Sequence, residues 1–105
     1  MATFYRIVKT NPPTVTDFLT DRQARRRPPP LEVLRLWDGR SVFDSEAIAR
    51  DVALRFPVIG SYIAALDIAE DGTIVAERTL RRPGHYTLWG DTAAILARVV
   101  AVVPV

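Results

Sequence analysis

The spacing of apolar and polar positions along this chain places most of its elements. Phe4 to Lys9, FYRIVK, mixes aromatic and β-branched residues and predicts a strand. TNPPT ends it, because paired prolines cannot continue a ladder. A short helix is predicted next, capped by Thr14 or Thr16, with Phe18 and Leu19 on its apolar face. Pro30 to Trp37, PLEVLRLW, predicts a helix with proline at its start, closed by Asp38-Gly39. Arg40 to Phe43 is a short strand. Asp44 or Ser45 then caps a helix through Phe56, in which Ile48, Val52 and Phe56 recur every fourth position beside Ala49 and Ala53, and Pro57 stops it.

The second half is richer in strands. Ser61 to Ile68 is apolar at both alternating sets of positions until Asp67, which predicts a central strand. A turn at Asp71-Gly72 is expected to fold Thr73 to Thr79 back on it as a hairpin. Arg81 to Gly84 turns again, His85 to Trp89 is a strand, and Gly90 breaks it. Asp91 caps one helical turn around Ala93 to Leu96, and ARVVAVVPV predicts a final buried strand. Strands and helices do not alternate regularly, so the expected class is α+β with a mostly antiparallel sheet and short helices, a single domain over residues 1–105.

Composition narrows the functions. Without cysteine and with a single histidine, disulfides, thiolate sites and multi-histidine metal sites are excluded, and no acidic cluster suggests a carboxylate one, so no metal site is expected. No apolar run approaches a membrane span, and the first residues lack a secretory pattern, which makes the cytoplasm the expected location. The net charge of +2 does not demand nucleic acid. The one candidate for such a partner is the arginine- and proline-rich stretch Arg22 to Arg27, which lacks the aromatic residues used for stacking and reads first as an exposed, stiff loop. No Gly-rich phosphate loop and no GxSxG elbow occurs.

Three stretches carry candidate chemistry. Arg6 lies on the first strand after Tyr5, Ser41 and Ser45 lie in GRSVFDSEAIAR, and His85, Tyr86 and Trp89 lie on the penultimate strand. Alternation puts Tyr86 and Leu88 on one face and His85, Thr87 and Trp89 on the other, expected to be an open recognition face for a planar ligand or a partner protein. Each residue also has an ordinary structural use: Arg6 in an ion pair, Ser45 as a helix cap, and a strand glutamate such as Glu77 in a pair with arginine.

In this order, YR, GRSVFDSEAIARDVA and HYTLWGDTAAILARVVAVV resemble the ADP-ribosyltransferase-like fold, in the branch marked by arginine, serine and glutamate. The resemblance implies a split sheet and an NAD-binding cleft, with Tyr5, Arg6, Ser41, Ser45, Tyr86 and Trp89 as cofactor-binding residues and Arg6, His85 and Glu77 as catalytic ones. The family's glutamate position is matched here by His85, which brings no negative charge to a developing oxocarbenium ion. Glu70 or Glu77 would have to substitute. The implied function is therefore binding of NAD or a related nucleotide, with weak, altered or absent transferase or NAD-glycohydrolase activity. The alternative is a non-enzymatic accessory or immunity-like module that binds a protein through the Trp89 face, and an exposed apolar face would equally suit a homodimer.

Overall fold

A computed structural model describes all 105 residues. Six strands form one antiparallel sheet: β1 (Ala2–Val8), β2 (Arg40–Phe43), β3 (Tyr62–Ile68), β4 (Val75–Arg78), β5 (His85–Trp89) and β6 (Val99–Pro104), in the order β4-β5-β2-β1-β3-β6. Two α-helices, α1 (Glu46–Arg55) and α2 (Thr92–Leu96), and three 3₁₀ segments accompany it. The class is α+β, as the patterning predicts, and no helix is long and apolar enough to cross a membrane.

Local chemistry explains the elements that match expectation. Ser45 caps α1 by accepting from the Ile48 amide at 3.3 Å, and Asp91 caps α2 by accepting from the Ala94 amide at 3.1 Å. Thr14 precedes the 3₁₀ turn Val15–Phe18, and the Asp17 carboxylate accepts from the Thr14 amide at 3.0 Å. β3 is central, held between β1 and β6 with Ile63, Ala64, Leu66 and Ile68 buried.

Apolar residues collect on both faces of the sheet. Phe4, Val8, Phe18, Val42, Leu66, Leu88 and Ile95 share one cluster, which α2 closes through Ile95. Ile7, Phe43, Ile63 and the α1 residues Ala49, Val52 and Ala53 form the other. Of the expected α1 stripe, Phe56 departs: it is the residue after the helix and is half exposed, because Pro57 ends the helical run before it can turn inward.

Three further expectations are corrected. Residues 73–79 do not pair back on β3, whose two edges are taken by β1 and β6; β4 pairs instead with β5, through the turn 79–84. The last strand is not buried but an edge, bonded only to β3, with Val100 61% exposed. The helix at Leu31–Asp38 is a 3₁₀ segment with non-helical geometry at Val33, and it keeps Leu31 exposed. Three prolines before it and a β-branched residue inside it disfavour a regular α-helix.

The seams of the sheet differ. β1 and β3 are in register over seven residue pairs, from Ala2 opposite Ile68 to Val8 opposite Tyr62. β1 and β2 meet only at Tyr5 opposite Phe43. Beyond that rung no backbone ladder joins them, and the Arg6 side chain reaches across to β2.

Candidate functional site

Where β1 and β2 separate, a cleft of about 600 Å³ opens on the α1 side of the sheet. Arg6, Ser41, Phe43 and His85 line its floor, and Val58, Ile59 and the segment from Thr14 to Arg26 supply walls. A smaller cavity of about 160 Å³ adjoins it and shares Ser41, His85 and Asp21, with Arg27, Arg40 and Thr87 among its own lining. The sequence separates Arg6, Ser41 and His85 widely; antiparallel pairing of β2 with β5, and the gap between β1 and β2, bring them together.

Arg6 is held rather than neutralised. Its Nε donates to the Asp17 carbonyl at 2.8 Å and its Nη1 to the Ser41 carbonyl at 2.7 Å. Its guanidinium lies 5.6 Å from the Phe18 ring centroid. No carboxylate forms an ion pair with it. Burial, and secondarily the charge of Arg40, lower its pKa to about 10, against a smaller opposing pull from Asp21 and Asp17.

Arg40 is only 3% exposed and also lacks an ion pair. Its Nε donates to the Phe18 carbonyl at 2.5 Å and its Nη2 to the Thr92 hydroxyl at 2.8 Å, while its buried Nη1 has no partner. Desolvation holds its pKa below the usual value, with Asp91 offsetting part of the effect. Two arginines beside the cleft therefore carry charge without a directly bonded counter-ion, an arrangement that costs free energy.

His85 is 3% exposed, and every polar atom of its ring is engaged. Nδ1 lies 3.1 Å from the Thr79 carbonyl and 3.0 Å from the Thr79 hydroxyl. A carbonyl can only accept, so the network assigns the ring proton to Nδ1. Nε2 is then the free lone pair, and it accepts from the Ser41 hydroxyl at 3.1 Å. The Thr79 hydroxyl continues the chain to Thr87 at 2.6 Å. Phe43 meets the imidazole edge-on with centroids 5.6 Å apart. Burial lowers the His85 pKa below its ordinary value, the hydrogen bond to the Thr79 backbone opposes this, and nearby Arg82 lowers it further, so the ring is neutral at pH 7.

The turn that holds His85 has unusual backbone. Leu80, directly after Thr79, has φ of 61° with its side chain 58% exposed. Gly84, directly before His85, has φ of 72°, and a Cβ there would lie 2.7 Å from Asp44 Oδ1. Left-handed geometry at a leucine costs roughly 1 kcal/mol. Here it turns the chain so that Thr79 can present two oxygens to the imidazole.

The remaining expected site residues lie elsewhere. Tyr5 flanks the second apolar cluster and Ser45 is occupied as the α1 cap. Tyr86 faces the opposite side from His85, packed on Phe4 with ring centroids 5.0 Å apart, with the Arg78 guanidinium near its ring. Trp89 is on the His85 side but is not an open surface: it is half-buried, its indole donates to the Arg35 carbonyl at 2.9 Å, and the Arg35 guanidinium covers its ring at 4.8 Å. Glu77 is drawn to Arg35 at 2.7 Å and does not line the cleft, and Glu70 is exposed beside the 71–72 turn, also outside it.

The carboxylates that do line the cleft are Asp17 and Asp21. Asp17 is tied up: burial pushes its pKa upward, but hydrogen bonds from Thr10, Thr14 and Lys9 and the charge of Arg6 outweigh this and hold it below the usual value. Asp21 lines both cavities and makes only a long, exposed contact with Arg26 at 3.7 Å. Sequence reasoning passed over Asp21; its one signal is its place at the head of the arginine-rich stretch. That stretch is partly anchored, since Arg22 pairs with Asp38 at 2.7 Å and stacks over Trp37 at 4.2 Å, while Arg26 and Arg27 reach the cavities. Comparison with family models, curated proteins and solved structures returned no match for this chain.

Proposed function

We propose that this chain binds NAD or a related nucleotide in the cleft between β1 and β2, as an ADP-ribosyltransferase-like domain whose transferase or NAD-glycohydrolase activity is weak, altered or absent. One observation carries the reading: Arg6, Ser41 and His85 line a single cleft, with Arg6 half-buried there and lacking an acidic partner. A phosphate group would supply the missing negative charge and accept from the guanidinium. Val58 and Ile59, both exposed on the cleft wall, offer an apolar surface to a flat ring. Ser41, Thr14 and Thr16 line the cleft and would offer hydroxyls to a ribose.

The same geometry argues for low catalytic power. Departure of nicotinamide leaves positive charge on the ribose, and a fixed carboxylate is the usual stabiliser of such charge. His85 is neutral, and Asp17 is saturated with hydrogen bonds. Asp21 is the one cleft carboxylate with capacity to spare. Calorimetric titration with NAD, run beside an assay for released nicotinamide, tests the proposal. Binding heat that disappears in Arg6→Met, with little nicotinamide release, is expected; a folded protein that gives no heat overturns it.

A further inference from the structure

Beyond nucleotide binding, we propose that Ser41 is a nucleophile activated by His85, serving acyl transfer from carboxylic esters that carry an anionic group. Ser41 is exposed to the cleft, while the imidazole it bonds is buried beneath it. Its hydroxyl donates to His85 Nε2 at 3.1 Å, within reach of a general base. The base is oriented from behind by a third group, here the Thr79 carbonyl at 3.1 Å from Nδ1. A carboxylate more often holds that place. A carbonyl fixes the same tautomer and attracts the imidazolium that forms, with a partial rather than a full charge. Thr79 is thus a positioning residue.

Positive charge stands beside Ser41 and would be available to an oxyanion formed there. The Arg6 guanidinium grips the Ser41 carbonyl at 2.7 Å, and its Nη2 makes no hydrogen bond to the protein. Arg6, Lys9, Arg26 and Arg82 outnumber the lining carboxylates Asp17 and Asp21, and Lys9 and Arg82 have no acidic partner, which favours an acyl or alcohol portion bearing a carboxylate or phosphate. In the reaction, Ser41 Oγ bonds to the ester carbonyl carbon as its proton passes to His85 Nε2. The carbon–oxygen bond to the alcohol then breaks, and the leaving alkoxide takes that proton. Water attacks the acyl-serine, gives its proton to Nε2, and the proton returns to Ser41 Oγ as the carboxylic acid departs. No oxidant, metal or second substrate other than water is required.

A fluorophosphonate probe tests this on the intact protein, with the labelled residue located by peptide mass spectrometry. Ser41 is expected to label about 100-fold faster than Ser61, an exposed serine with no histidine beside it. The rate should rise as pH increases through the titration of His85 and fall by a similar factor in His85→Gln. Equal labelling of Ser41 and Ser61 in the wild-type protein overturns the proposal, and that comparison needs no variant to fold. If Ser41 does label, hydrolysis of mono-4-nitrophenyl succinate faster than of 4-nitrophenyl butyrate supports the anionic substrate, and equal rates overturn that part. NAD titration reads out separately, so loss of one activity leaves the other standing.

Discussion

The two seams that β1 makes with its neighbours could hardly differ more. Against β3 it is zipped along its whole length, with Phe4 opposite Leu66 and Ile7 opposite Ile63, all buried. Against β2 it holds one rung, and the gap beyond is bridged by the side chain of Arg6. The first seam satisfies backbone groups with backbone and removes apolar surface from water, the arrangement that stabilises a fold. The second leaves cations without counter-ions and a histidine whose Nε2 faces a serine hydroxyl in an open cleft. One strand therefore divides the molecule into a part that supplies stability and a part that gives some of it up to keep charged and polar groups in an open cleft.

Three substitutions or conditions separate those parts. The largest effect belongs to the zipped seam. Leu66→Ala, at a fully buried position, should lower unfolding free energy by about 2–5 kcal/mol in urea titration, whereas Val58→Ala, exposed on the cleft wall, should change it by about 0.5 kcal/mol or less. Equal losses would erase the contrast. Next comes Arg6→Met, which removes a charge that burial disfavours. Loss of its two hydrogen bonds to carbonyls offsets the relief of desolvation, so stability should change by only about 1 kcal/mol or less, while NAD binding should weaken tenfold or more. A variant that is both less stable and still able to bind would assign Arg6 to the scaffold instead.

The smallest effect is a pH dependence. The folded-state pKa of His85 lies below its unfolded value, so the unfolded chain takes up the proton first. Stability is therefore full above about pH 6.5, the unfolded value, and declines as pH falls below it until the folded pKa is reached. His85→Gln should flatten that part of the profile. A wild-type curve that is level from pH 7 down to 5 would show the imidazole to be less burdened than its surroundings imply.

How much of this was legible in the sequence depends on range. The caps at Ser45 and Asp91, the strand at 85–89 and the central strand at 62–68 are set by neighbours within a few positions, and they appear where local chemistry puts them. Strand partnership is not local: the edge position of β6, and the pairing of β4 with β5, follow from which edges of β3 remain free. The candidate site divides the same way. Arg6, Ser41 and His85 could be singled out by residue type and order. The burial of His85 could not, because a histidine after glycine reads as surface until Thr79 and Ser41 arrive from other strands. Trp89 looked open for the parallel reason that its cover, Arg35, comes from a segment 54 positions away.

The group behind the imidazole is a main-chain oxygen, and this makes it unusually hard to lose. A carboxylate in that role vanishes with a single codon change. No change of side chain at position 79 deletes a peptide carbonyl; only a shift of the turn itself can, which transfers the vulnerability to Leu80 and Gly84, the two residues with left-handed geometry. Inheritance of the histidine's protonation pattern is thus written in the path of the chain rather than in the identity of its partner.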